Sequence, residues 1–131
     1  MLNIFHHSGP VFCVSSLLHD GKMLAVSSGK STSVSVWKID DCTEVRAIES
    51  GHNSHINTIN ISYSSNPLIC TGSYDGTVRL HGDDLHERYP PMNHGNAVFA
   101  VKIVESENCI ITCGQYGKIN IFDLTDSSLL R

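Results

Sequence analysis

Three segments of the chain can be laid under one another: HSGPVFCVSSL from His7, HNSHINTINIS from His52 and HGNAVFAVKIV from His94. Each opens with His and places an aliphatic residue, Val11, Ile56 or Val98, four positions on. The histidines lie 45 and then 42 residues apart, and the residues Trp37, His81 and Phe122 further along each unit keep step at 44 and 41. A repeat of this length, recurring across 131 residues, constrains the fold more than any single motif, because each unit must bury its apolar faces against its neighbours.

The interior of a unit reads as strands. In the second, Pro67 to Ser73 is an apolar and β-branched run, Asp75-Gly76 supplies a turn tolerant of positive φ, and Thr77 to Leu80 alternates again. Second strands are expected at Met23 to Ser28, Leu68 to Ser73 and Cys109 to Gly114. Third strands are expected at Ser33 to Ile39, Thr77 to His81 and Lys118 to Leu124. Fourth strands are expected around Glu44 to Ile48 and His86 to Tyr89, with a third beginning at Leu129. Four short strands per unit with this period predict an all-β chain built of β-propeller blades, at approximately 7–50, 51–92 and 93–131, the last incomplete. Residues 1–6 read as an outer closing strand.

With Gly51-His52, the run Ser73-Tyr74-Asp75-Gly76-Thr77-Val78-Arg79-Leu80, Trp37, and Phe122-Asp123 in place of Trp-Asp, the chain resembles the WD40 repeat family over nearly its whole length. The resemblance implies that each blade is braced by a hydrogen-bonded tetrad of His, Ser or Thr, Asp and Trp. Carried over by position, the first unit has His7 and Trp37 with Ser31 at the Asp position; the second has His52, Asp75 and Thr71 or Ser73, with His81 at the Trp position. The third has His94, with Tyr116 and Phe122 in the last two places. No unit has the full set, and His81 is expected to donate where an indole N–H would. The resemblance also implies a partner-binding rim formed by the residue before each turn, Lys30, Tyr74 and Gln115, and by an early residue of each first strand, Phe12, Asn57 and Phe99.

Composition narrows the chemistry. A net charge of −4 and a pI near 6.0 provide no overall attraction to nucleic acid or to acidic membranes. Five cysteines, three beside apolar runs, read as small buried thiols of a reducing compartment. No signal-peptide pattern and no membrane-spanning run occurs, so a cytoplasmic or nuclear protein is expected. Ser28-Gly29-Lys30-Ser31-Thr32 lacks the first glycine of a P-loop, because Leu24 stands there. Cys109 and Cys113 lie roughly 13 Å apart along one strand and cannot chelate one zinc without a bend. The repeated histidines are read as structural, and His6, His19, His55 and His86 as surface residues. No Gly-x-Ser-x-Gly occurs, Asp40-Asp41 and Asp83-Asp84 follow equivalent third strands as turn residues, and Asn60-Ile61-Ser62 falls within a strand.

The expectation is therefore a non-enzymatic interaction scaffold that binds proteins, with no cofactor, no metal and no membrane partner. Two other classes remain open: a nucleic-acid-associated propeller, against which the scattered nine Lys and Arg weigh, and the substrate-recognition part of a ubiquitin ligase complex. Propellers have about 4 to 8 blades. Further blades are expected from a longer chain or from a second copy.

Overall fold

A computed structural model of the chain describes residues 4, 6, 7, 9–40, 43–62, 66–82, 84 and 86–131. The expected closing strand at 1–6 lies largely outside them, and Asp41 and Asp83 fall outside as well. Three antiparallel sheets form, each a meander in chain order. The first contains β1 (Val11–His19), β2 (Lys22–Gly29), β3 (Ser33–Lys38) and β4 (Glu44–Glu49). The second contains β5 (Ile56–Ile61), β6 (Leu68–Ser73), β7 (Thr77–Gly82) and the short β8 (Met92–Asn93). The third contains β9 (Val98–Val104), β10 (Cys109–Gly114) and β11 (Ile119–Asp123).

Local sequence explains the hairpins. Asp20-Gly21 takes φ of +50° and +72° between the paired residues His19 and Lys22, the double positive φ of a two-residue turn that follows the twist of its strands. At the β6–β7 turn, Gly76 takes φ +87° while Asp75 accepts from the Thr77 N–H at 2.8 Å.

One expected strand moves. His86 to Tyr89 pairs only at Glu87, opposite His81, and the fourth strand of the second sheet forms later, where Thr77 and Val78 face Asn93 and Met92. Pro90 and Pro91 intervene, and with no N–H to donate they interrupt the ladder. In the third unit Leu129 bridges Phe122, so a fourth strand begins where expected.

Two cores lie between the three sheets. Leu17, Val26, Val34 and Val36 of the first sheet meet Ile56, Ile59, Ile61 and Ile69 of the second. Cys70, Val78, Leu80 and Met92 of the second meet Val98, Val101, Ile103, Ile110 and Phe122. Strand β6 serves both, because successive side chains alternate faces: Ile69 points to one core and Cys70 to the other. Gly72 lets the sheets close up, since a Cβ there would lie 2.6 Å from Val98 Cγ1.

The outer faces of the first and third sheets have no neighbour within the described chain. Val14 on the first is 68% exposed and Ile119 on the third is 65% exposed. Beside Val14, His7, Val11, Ala25, Ser27 and Trp37 line an apolar hollow of about 150 Å³.

Trp37 is nevertheless buried. Trp37→Ala should cost about 3–5 kcal/mol in denaturant unfolding, as other large aromatic truncations do. The single indole should emit as a buried one; emission of a water-exposed indole in the folded protein would overturn the register.

Candidate functional site

The best-connected polar cluster lies in the second sheet. The His52 ring stands 3.1 Å from Asp75 Oδ2 through Nδ1 and 2.8 Å from Thr71 Oγ1 through Nε2. Asp75 also accepts from the Asn53 N–H and from the Thr77 N–H and hydroxyl. Burial lowers the proton affinity of His52 against the opposing pull of Asp75. For Asp75 burial acts the other way, but the hydrogen bonds from Thr77 and Asn53 bring its carboxyl below the usual range. The pair is therefore a neutral imidazole donating to a carboxylate, with Thr71 donating to the second ring nitrogen. Of the two candidate hydroxyls, Thr71 rather than Ser73 faces the histidine. Ser73, two residues further along the same face of β6, instead donates to the carbonyls of Ser54 and His55.

The other sheets hold parts of the same arrangement. In the first, Trp37 Nε1–H donates to Ser27 Oγ at 2.8 Å, and Ser27 contacts His7 Nε2. Ser31 accepts from the Ser33 N–H within its own turn. In the third, His94 Nδ1 is 2.8 Å from Thr112 Oγ1, and Phe122 is an apolar member of the core. His81 departs from its expected role. Its imidazole bonds the Ser50 backbone, and its buried Nδ1 has no partner among the described residues.

Sequence reasoning missed Ser27 and Thr112. The signal was present, because Ser27, Thr71 and Thr112 each stand ten residues before Trp37, His81 and Phe122.

A second constellation surrounds the turns. Phe12, Asn57 and Phe99 each sit at a register shift in their strand: Val11 pairs Gly29 but Cys13 pairs Ser28, Ile56 pairs Ser73 but Thr58 pairs Gly72, and Val98 pairs Gly114 but Ala100 pairs Cys113. A bulge inserts one unpaired residue and re-aims its side chain. The residues before the turns are also held alike: Lys30 N–H donates to Pro10 O, Tyr74 to His55 O and Gln115 to Ala97 O, at 2.9 to 3.1 Å. These bonds place Lys30, Tyr74 and Gln115 beside the starts of β1, β5 and β9 on one rim.

The rim is aromatic. His55 packs between Phe12, with ring centroids 5.6 Å apart, and Tyr74, at 5.2 Å, so one ring cluster joins the first and second sheets. Phe12, Tyr74 and Phe99 are 48%, 52% and 52% exposed, so the sheet interfaces do not consume them. Asn57 is different: its amide donates to Val98 O at 2.9 Å and ties the second sheet to the third.

Compared with known proteins, residues 1–38 and 43–81 match the family described as "WD domain, G-beta repeat". The chain belongs to the WD40 repeat family. It is 27% identical over 99% of its length to U3 small nucleolar RNA-associated protein 15 of Saccharomyces cerevisiae, and 31% identical over 93% to MST50-interacting protein 11 of Pyricularia oryzae. Cilia- and flagella-associated protein 52 of Chlamydomonas reinhardtii is 26% identical over 86% of the chain. The chain spans 25%, 38% and 18% of the length of these three relatives.

For a WD40 chain braced by neutral histidines, acid should act early. His52, His81 and His94 all have lowered proton affinity, with burial the leading cause. Below pH 6.5, the ordinary value, the unfolded chain binds more protons than the folded one, so stability is full above that pH and falls as pH drops toward the folded values. Thermal melts should show Tm declining between pH 6.5 and 5, before the carboxylates titrate. A Tm unchanged over that interval would contradict the neutral-imidazole bracing.

Proposed function

We propose that this chain is a non-enzymatic protein-interaction scaffold whose partner-binding surface is the rim of Phe12, Lys30, Asn57, Tyr74, Phe99 and Gln115, with His55 added. The observation that carries it is the shared geometry of the rim: three equivalent bulges and three equivalent turn anchors set half-exposed aromatics on one side. Aromatic residues dominate the energetics of interfaces, and exposed rings on a rigid scaffold supply contact area with little ordering cost. Burial pushes the Cys13 thiol up to about 11 and the Cys70 thiol higher still, which suits structural thiols rather than nucleophiles. The blades are proposed to occupy 7–50, 51–92 and 93–131.

The name of the yeast relative favours the nucleus over the cytoplasm and supports a second reading, in which the scaffold serves an RNA-containing assembly. The open outer faces are proposed to be covered by further sheets of the same kind, from a longer polypeptide or a second copy. Light scattering coupled to size exclusion should find the 131-residue chain self-associated; a monodisperse 14.4 kDa species with cooperative unfolding would overturn that proposal.

Tyr74→Ala tests the rim. Truncating a central anchor typically costs at least about 2 kcal/mol of binding, whereas exposed substitutions change stability by about 0.5 kcal/mol. The variant should melt like the parent and lose partners from cell extract. A lower melting temperature, or unchanged capture, makes Tyr74 a structural residue and removes it from the rim.

A further inference from the structure

Tyr116 stands where the second sheet has Asp75, six residues before Phe122 as Asp75 is six before His81. Asp75 turns its carboxylate inward to His52, Asn53 and Thr77. Tyr116 does the opposite: the residue is 82% exposed and its backbone takes φ +65°. Left-handed φ is unfavourable for a bulky side chain. The exchange also leaves His94 Nε2, on a fully buried ring, without a partner among the described residues. An orphaned buried nitrogen destabilises through its lost hydration. The turn therefore carries two destabilising features, and the packing gains nothing from a phenol in solvent. A local rule broken without structural compensation motivates a functional reading of the position.

The surroundings indicate what such a ring would meet. Gln115 precedes it on the rim, and Lys118 follows it with Nζ 2.8 Å from His94 O. Asn96 borders Gly76 of the neighbouring turn, where a Cβ would lie 3.4 Å from its carbonyl oxygen, so the Tyr116 turn continues the surface that contains Tyr74. On this side of a chain of net charge −4 the lysines Lys30 and Lys118 stand near solvent. Asp75 is turned inward, and Glu49 at the margin is held by the Thr32 and Ser33 hydroxyls.

We propose that Tyr116 is a further anchor of the rim and that the rim takes an acidic segment of a partner protein, whose apolar side chains rest on the rings while Lys30 and Lys118 meet its carboxylates. This rests on the rim reading given above. Three fluorescein-labelled probes test it against the 131-residue chain: a short peptide alternating Glu with Leu and Phe, the same peptide with Lys for Glu, and an oligouridylate of equal length. The acidic peptide should bind at least about tenfold more tightly than its Lys counterpart and weaken as salt is added. Tyr116→Ala should weaken the acidic peptide by about tenfold or more, and Tyr116→Phe should retain it. Tyr116→Asp should abolish binding yet raise Tm, because Asp tolerates left-handed φ and brings a carboxylate to the histidine that lacks one. Equal binding of all three probes, preference for the oligouridylate, or a Tyr116→Asp variant that melts lower would overturn the proposal. If Tyr74→Ala weakens the acidic peptide and Tyr116→Ala does not, Tyr116 is excluded and the rim stands. If neither does, the rim reading itself fails.

Discussion

The second sheet is apolar on both faces, and covering it twice organises the molecule. Ile56, Ile59, Ile61 and Ile69 require the first sheet, and Cys70, Val78, Leu80 and Met92 require the third. Each fully buried aliphatic side chain contributes roughly 1.5–3 kcal/mol by leaving water. An isolated two-stranded hairpin is marginal in water, so this surface needs both further strands and cover. Gly72 shows how close the contact is, because a single added carbon would meet side chains of both β5 and β9.

Packing fixes the sheets, but polar bonds fix their turns. In the second sheet Asp75 collects three donors besides His52, which holds the β6–β7 turn against the loop before β5. The first sheet has a His7–Ser27–Trp37 chain, and the third a His94–Thr112 pair. Bracing is thus unequal. The nitrogens His81 Nδ1 and His94 Nε2, buried without a bond among the described residues, appear where a partner type was exchanged.

The same turns carry the proposed rim, so bracing and binding are coupled through the backbone. Tyr74 is held by its N–H on His55 O, one residue from the carboxylate that anchors the turn. A bulge at Phe12, Asn57 and Phe99 repeats the device on each first strand. Regular repetition therefore supplies equivalent places, and the individual side chains distinguish them: rings at two, and at Asn57 an amide already bonded to the next sheet.

The period of the histidines, the alternation of the strands and the Asp-Gly turns determined the sheets from sequence alone, because those signals are local and repeat in phase. They placed β6 and β10 residue for residue. Sequence did not reveal that Thr71, not Ser73, meets His52, since both hydroxyls share one face of β6 and only the placement of the histidine along the strand decides. Nor could it place the fourth strand of the second sheet, where the two prolines compete with pairing. His55 read as an ordinary surface residue, yet it lies between Phe12 and Tyr74, and His81 bonds the Ser50 backbone rather than the threonine. Those outcomes depend on which sheets meet and at what distance, and no pattern within one repeat records the position of the next.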